Sequence, residues 1–129
     1  MADSENGVSK RILIVDDDKF LLEFFGRILT ANGYTTVLSN NGLDAKGILE
    51  EDKEFDMIIL DLLMPVQSGW KLMDFLKEHE TYKSKPIVVM TGLSLTYEEF
   101  ERIKATCTAV LLKGDFELSR FITIIEDNI

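Results

Sequence analysis

Three aspartates, Asp16, Asp17 and Asp18, follow directly behind the apolar stretch RILIV. Asp61 ends a second apolar stretch, FDMIILD. Carboxylates that converge repel one another, and a hard divalent cation such as Mg²⁺ relieves that repulsion because it prefers oxygen ligands. A carboxylate beside such an ion can also act as a nucleophile and become an aspartyl phosphate. These residues indicate a metal site with a reactive carboxylate, provided that the fold brings them together.

Two further polar residues end apolar stretches later in the chain. Thr91 ends PIVVMT, and Lys113 ends TAVLLK. A phosphoryl group needs cationic and hydroxyl partners for its oxygens, and these two side chains supply both. Each residue alone has an ordinary explanation, since an aspartate after a strand often caps a helix and a lysine often reaches from a core to solvent. The functional signal lies in their combination.

The elements that must position these residues alternate between short apolar strands and amphipathic helices. Strands are predicted at 11–15, 34–39, 55–61, 86–91 and 108–113. Five βα units in succession imply an α/β fold with a doubly wound parallel sheet, and ligands bind outside the carboxyl ends of such strands. Helical spacing also predicts that Phe24, Leu43 and Leu118 face the core.

Composition narrows the classes of function. The 129 residues suit one domain, and a net charge of −9 argues against direct binding to nucleic acid. The single cysteine, Cys107, permits no intrachain disulfide and fits a reducing cytoplasm. No apolar run approaches the roughly 20 residues that cross a bilayer, so no membrane association is expected. We expect a mobile polar tail at 1–9 and one cytoplasmic domain at 10–129.

Over nearly its whole length, the sequence resembles the receiver domain of two-component response regulators, a family that includes the chemotaxis response regulator. The resemblance rests on the acidic pair Asp16-Asp17, on Asp61 in DLLMPVQSG, on Thr91 in VVMTG and on Lys113. Thr91 lies 30 residues after Asp61, and Lys113 lies 52 residues after it, which is close to the family's spacing. The family's fold is flavodoxin-like (βα)5 with strand order 2-1-3-4-5.

The resemblance implies a phosphorelay function. A phosphohistidine on a sensor histidine kinase or phosphotransfer protein would donate its phosphoryl group to Asp61, while Thr91 and Lys113 bind the phosphoryl oxygens. Such a protein is not an enzyme for another substrate, because it catalyses only its own phosphorylation and dephosphorylation. The surface formed by the fourth helix, fifth strand and fifth helix would then change its binding to a downstream protein, a fused output domain or a second copy in a phosphorylation-dependent homodimer.

The resemblance also implies a ligand set for Mg²⁺ or Mn²⁺. The acidic pair, Asp61 and the backbone carbonyl of Leu63 would hold the ion. Within the pair, Asp17 is expected to bind directly and Asp16 through water. Asp18 has no role in the family's pattern, and we expect it to cap the first helix.

Four positions depart from the family's usual pattern. Gly114 stands where proline usually follows the lysine, and Val110 replaces an aromatic residue that often switches rotamer, which a β-branched side chain cannot imitate. Leu63 and Leu93 occupy positions that are often polar and lie near the path of attacking water. Our hypothesis is that the two leucines exclude this water and slow loss of the phosphoryl group. The alternative is that they only pack the loops.

Three other functions share parts of the pattern. A haloacid-dehalogenase-like phosphatase also uses an aspartate nucleophile and Mg²⁺, but it needs a second acid where this chain has Leu63. A degenerate receiver would bind partners without phosphorylation; Gly114 and Val110 favour this alternative, whereas the complete set of site residues argues against it. A flavodoxin needs a phosphate-binding loop after the first strand, where this chain has acidic residues.

Overall fold

The structure, a computed structural model, describes residues 9–64, 68–92 and 95–129. Leu93 and most of the expected N-terminal tail lie outside these ranges. The strands are β1 Arg11–Val15, β2 Thr35–Ser39, β3 Met57–Asp61, β4 Ile87–Thr91 and β5 Ala109–Leu112. The helices are α1 Lys19–Ala31, α2 Gly42–Glu51, α3 Gly69–Glu78, α4 Tyr97–Thr106 and α5 Leu118–Asn128, with a short 3₁₀ helix at Lys113–Asp115.

The strands form one parallel sheet in the order β2-β1-β3-β4-β5. The fold predicted from the sequence is therefore confirmed. Alternate side chains of each central strand face opposite sides of the sheet. On one side they pack against α1 and α5, and on the other against α2, α3 and α4. The helices thus cover both faces, and the central strands β3 and β4 are buried along their whole length.

Three predictions of inward-facing side chains were wrong. Phe24, Leu43 and Leu118 are exposed. In α1 the buried stripe runs instead through Leu22, Phe25 and Leu29, because a helix lying on a sheet buries only one narrow face. The fifth strand also ends one residue earlier than predicted, so that Lys113 begins the 3₁₀ helix.

Two further properties of the described helices concern the start of α4 and the length of the helices. A capping box begins α4, where Thr96 and Glu99 exchange side-chain and backbone hydrogen bonds at the first turn. Among the helices of the described ranges, none combines the length and apolarity that a bilayer crossing requires.

Candidate functional site

The turn from β1 into α1 separates the three aspartates. The backbone N–H of Asp16 donates to the Ser39 carbonyl at 3.1 Å, which continues the pairing of β1 with β2. The Asp16 side chain turns inward, and the residue is only 3% exposed, whereas Asp17 lies at the surface. Asp18 caps α1, since its carboxylate accepts hydrogen bonds from the N–H groups of Phe20 and Leu21. The predicted capping role of Asp18 is confirmed.

Asp61 is placed by the end of β3 and by a close contact with α3. The residue is 5% exposed, and its Oδ1 accepts a hydrogen bond from the Leu63 N–H at 3.3 Å. The N–H of Gly69, at the first turn of α3, donates to the Leu62 carbonyl at 3.0 Å. A Cβ at position 69 would overlap the Asp61 carbonyl oxygen and lie 2.6 Å from the Leu62 Cα. The helix therefore approaches the loop as closely as it does only because residue 69 is glycine.

Strand register brings the remaining site residues to the same edge of the sheet. Asp61 in β3 stands opposite Met90 in β4, so Thr91 lies one step beyond it. Thr91 is completely buried and stands opposite Leu112 in β5, the residue immediately before Lys113. The three predicted residues of the phosphoryl site consequently lie at the carboxyl ends of three adjacent strands, each one residue farther along than the residue on the strand before it.

Lys113 joins the two buried carboxylates of the site. Its Nζ lies 2.8 Å from Asp16 Oδ2 and 3.2 Å from Asp61 Oδ2. Burial acts to lower the pKa of Lys113, but the hydrogen bond and charge of Asp16, together with Asp61, raise it above its usual value. Burial also raises the pKa of Asp61; the Lys113 charge opposes this effect, and the Asp16 charge adds to it. Lys113 thus favours the charged form of Asp61 without fully offsetting the desolvation of that carboxylate.

The acidic residues at this edge have the donor chemistry of a divalent metal site. One carboxylate oxygen from each of Asp16, Asp17 and Asp61 lies within 4.8 Å of the others. All three are hard oxygen donors, and the single ammonium of Lys113 leaves an excess of negative charge. The residues therefore fit Mg²⁺ or Mn²⁺. Both Asp16 oxygens already accept hydrogen bonds or ion pairs, one from the Asp18 N–H and one from Lys113.

Three of the four positions that depart from the family's pattern, Leu63, Val110 and Gly114, lie in the described ranges. The Leu63 side chain is 61% exposed beside Asp61, so it does not pack within the loop. Val110 is half-buried and lines a groove of about 200 Å³ between α4, β5 and α5. Gly114 lies in the 3₁₀ helix with nothing within 4 Å of a Cβ placed there. No peptide bond in the described ranges is cis, so the Lys113–Gly114 bond is trans and the turn forms without proline.

Some features of the site were missed in the sequence. Phe20 lies in the first turn of α1, directly after the acidic residues, and is 87% exposed. The apolar spacing of α1 did not single this residue out. The Ser39 hydroxyl donates to the Asn41 carbonyl and to Asp44, which fixes the loop beside Asp16. The sequence does contain a signal for Ser39, because this residue is polar and ends a predicted strand. Cys107 follows α4 near the amino end of β5, whereas Lys113 follows the carboxyl end of that strand; burial raises the pKa of the Cys107 thiol to about 11, which suits a structural residue.

Comparison with known proteins gives the same family at the level of sequence. Residues 12–126 match the family model described as response regulator receiver domain. The polar-differentiation response regulator DivK of Brucella anthropi is 27% identical over 117 residues, covering 91% of this chain and 94% of that protein. DivK of Brucella ovis is 27% identical over 119 residues, covering 92% of this chain and 95% of its own length.

Solved structures share the fold. The chemotaxis protein CheY4 of Vibrio cholerae superposes with a TM-score of 0.85 at 24% identity, covering 95% of this chain and all of that one (100%). A CheY-like receiver domain protein from Methanospirillum hungatei has a TM-score of 0.81 at 23% identity, and the match covers 93% of each chain. At these identities the structural comparisons support the fold alone.

Proposed function

The chain belongs to the response regulator receiver domains of two-component signalling, and from that premise we propose that Asp61 accepts a phosphoryl group from a phosphohistidine. The donor would be a sensor histidine kinase or a phosphotransfer protein. The observation that carries this proposal is the placement of the Asp61 carboxylate, almost buried between the acidic pair and the Lys113 ammonium. A reactive carboxylate and a cation for the phosphoryl oxygens are thereby held at one edge of the sheet.

The transfer follows from the groups at this edge. A carboxylate oxygen of Asp61 forms a bond to phosphorus while the bond from phosphorus to the donor's imidazole nitrogen breaks, and that nitrogen keeps the electron pair. Lys113 then exchanges a carboxylate oxygen for a phosphoryl oxygen, and the Thr91 hydroxyl donates to another. The carboxylate attacks in its charged form, which the Lys113 ammonium favours against the burial that raises the pKa of Asp61.

The acidic cluster is proposed to hold Mg²⁺ or Mn²⁺. Asp17 and Asp61 would bind directly, together with the backbone carbonyl of Leu63. Asp16 would bind through water, because both of its oxygens already have partners. When bound, the ion would neutralise charge on the phosphoryl oxygens during transfer.

The proposed output is a change in protein binding at the surface of α4, β5 and α5. Lys113 links the site directly to this surface, since it begins the 3₁₀ helix that leads into α5. Exposed apolar side chains there, among them Tyr97, Phe100 and Leu112, suit a downstream protein or a fused output domain. Movement of Lys113 toward a phosphoryl group would therefore reach the surface through one short turn.

In this proposal the protein catalyses only its own phosphorylation and dephosphorylation, and it is cytoplasmic. Its single cysteine needs no oxidising compartment. The competing proposal is a degenerate receiver that binds partners without phosphorylation. Two positions favour it, because Gly114 replaces the family's usual proline and Val110 replaces its frequent aromatic residue. The two proposals differ in whether Asp61 becomes phosphorylated.

Incubation with acetyl phosphate and Mg²⁺, followed by intact mass measurement, separates these proposals. The wild-type chain should gain one phosphoryl group, and Asp61→Asn should gain none. Asp74→Asn, which removes an exposed carboxylate from α3, is the matched control and should behave as wild type. A chain that gains no phosphoryl group, or an adduct that survives Asp61→Asn, would overturn the proposed function.

A further inference from the structure

The outer edge of β2 presents backbone groups that its neighbouring strand does not use. β2 ends the sheet and pairs only with β1. The Thr35 N–H donates to the Lys10 carbonyl at 2.9 Å, and the Ser39 carbonyl accepts from the Asp16 N–H at 3.1 Å. Because a parallel ladder uses alternate residues of a strand, the N–H and C=O groups of Thr36 and Leu38 point away from β1.

This edge lacks the features that normally prevent pairing between sheets. The strand TTVLS contains no charged residue and no proline. All five residues keep regular register with β1, so no bulge turns the edge aside. Leu38, the fourth of the five residues, is exposed. Edges of this kind are templates for another strand. The opposite edge, β5, belongs to the surface proposed above for a downstream protein.

Helix α1 lies beside this edge and carries charges of both signs. Gly26 packs against Leu38, so closely that a Cβ on Gly26 would lie 3.2 Å from a Leu38 methyl carbon. α1 and β2 together form a groove. One turn of α1 farther along this groove, Thr30 and Thr36 place their hydroxyl oxygens 3.4 Å apart. Glu23 and Arg27 line the same groove, on either side of the level of Gly26. The charges thus have opposite signs about the point where Leu38 meets the helix.

We propose that β2 is a self-association edge, at which two copies of the chain pair antiparallel through the outward backbone groups of Thr36 and Leu38. A two-fold axis perpendicular to the sheet at Leu38 places Leu38 opposite its equivalent and Thr36 opposite Asn40 of the second copy. The same axis sets the α1 helices antiparallel, so that Glu23 of each copy faces Arg27 of the other. The surface is complementary to itself, which favours a second copy over an unrelated strand.

This interface is separate from the phosphoryl site and from the surface of α4, β5 and α5. It needs neither an aspartyl phosphate nor a metal ion. The dimer therefore forms in the Asp61→Asn variant as it does in wild type. An effect of Asp61→Asn on phosphorylation and an effect of edge substitutions on assembly can consequently be told apart.

Sedimentation equilibrium of the full chain over a range of concentrations tests the charge pairing. Glu23→Arg and Arg27→Glu should each raise the dissociation constant about tenfold, because two exposed ion pairs become repulsive in each dimer. The double variant Glu23→Arg, Arg27→Glu should restore the wild-type value, since both pairs form again with inverted charges. Lys71→Glu, a charge reversal on α3, is the control and should change nothing. A monomer at every concentration, or a double variant no tighter than the single ones, overturns the proposal.

Amide hydrogen exchange tests the strand pairing itself. The N–H groups of Thr36 and Leu38 should exchange more slowly as the protein concentration rises. The N–H of Val37 points toward β1, so its exchange should be independent of concentration within the native state. If the exchange rates of all three amides depend on protein concentration in the same way, pairing at this edge is contradicted. That result is also the one expected if the dimer forms elsewhere or if another part of the chain covers β2.

Discussion

The Nζ atom of Lys113 lies 2.8 Å from Asp16 Oδ2, and it reaches across the end of the sheet to do so. Asp16 follows β1 and Lys113 follows β5, and the strands β3 and β4 lie between them. Asp61, at the end of β3, is the second carboxylate on the same ammonium at 3.2 Å. The residue proposed to bind the phosphoryl group is thus, before transfer, the cation that holds the acidic site together.

Loss of that cation should destabilise the fold. Lys113→Ala leaves two nearly buried carboxylates without their ion-pair partner, so we expect the free energy of unfolding to fall by about 1–3 kcal/mol in metal-free buffer at neutral pH. Urea titration measures the change, and Lys71→Ala, at an exposed lysine of α3, is the control. Equal stability of Lys113→Ala and wild type would show that the ion pairs contribute nothing.

The same ion pairs give the wild type a defined pH dependence. Because the pKa of Lys113 is raised in the folded chain, its contribution to stability is complete below the ordinary lysine value. That contribution is lost as the pH rises through the raised pKa. The difference in stability between wild type and Lys113→Ala should therefore stay constant across neutral pH and shrink as Lys113 loses its proton in alkaline buffer. A difference that disappears near neutral pH would contradict this assignment.

Divalent metal should stabilise the chain through Asp17. At a hundredfold excess over its dissociation constant, Mg²⁺ should add about 2.7 kcal/mol to the free energy of unfolding. Asp17→Ala should reduce this gain, which thermal unfolding with and without Mg²⁺ measures. Asp18→Asn changes the neighbouring carboxylate but keeps the helix cap, so its response to Mg²⁺ should match wild type. A full response in Asp17→Ala would remove Asp17 from the ligands.

Two glycines provide a matched test of the contact between α3 and the loop of Asp61. Gly69→Ala should lower the free energy of unfolding by roughly 1–3 kcal/mol, because its Cβ would overlap the Asp61 carbonyl oxygen and force the backbone apart. Gly47→Ala, inside α2 with open space around the new methyl group, should raise it by about 0.5–1 kcal/mol. Opposite signs in urea titration are expected. Stabilisation by both substitutions would show that the close approach at Gly69 is unnecessary.

Leu63 offers a test of the water-exclusion hypothesis. Its side chain stands in solvent beside Asp61, where it is able to cover a phosphoryl group. We expect Leu63→Asn to lose the phosphoryl group several-fold faster, and Leu63→Asn, Leu93→Glu to lose it faster still, because polar side chains position attacking water. The decay of the intact-mass adduct after removal of acetyl phosphate gives both rates. Rates equal to wild type in the double variant would leave the leucines without this role.

Much of the fold was predictable because its causes are local. Five apolar stretches with polar residues at their ends specify parallel strands whose ends converge, and the resemblance supplied their order. The pairing of Lys113 with Asp16 was not predictable, since it depends on the reach of one side chain across two intervening strands. The exposure of Phe24 was also missed, because spacing alone does not show which of two adjacent apolar residues a helix turns toward the sheet.

The most direct measurement is the location of the phosphoryl group after transfer from a phosphohistidine-containing protein. Borohydride reduces an aspartyl phosphate to homoserine, and peptide mass mapping then identifies the modified residue. We expect homoserine at position 61 and unmodified aspartate at positions 16, 17 and 18. Modification at position 16, 17 or 18 would contradict phosphorylation of Asp61. The absence of any modification would contradict it too, provided that the same donor transfers its phosphoryl group to a receiver of known activity.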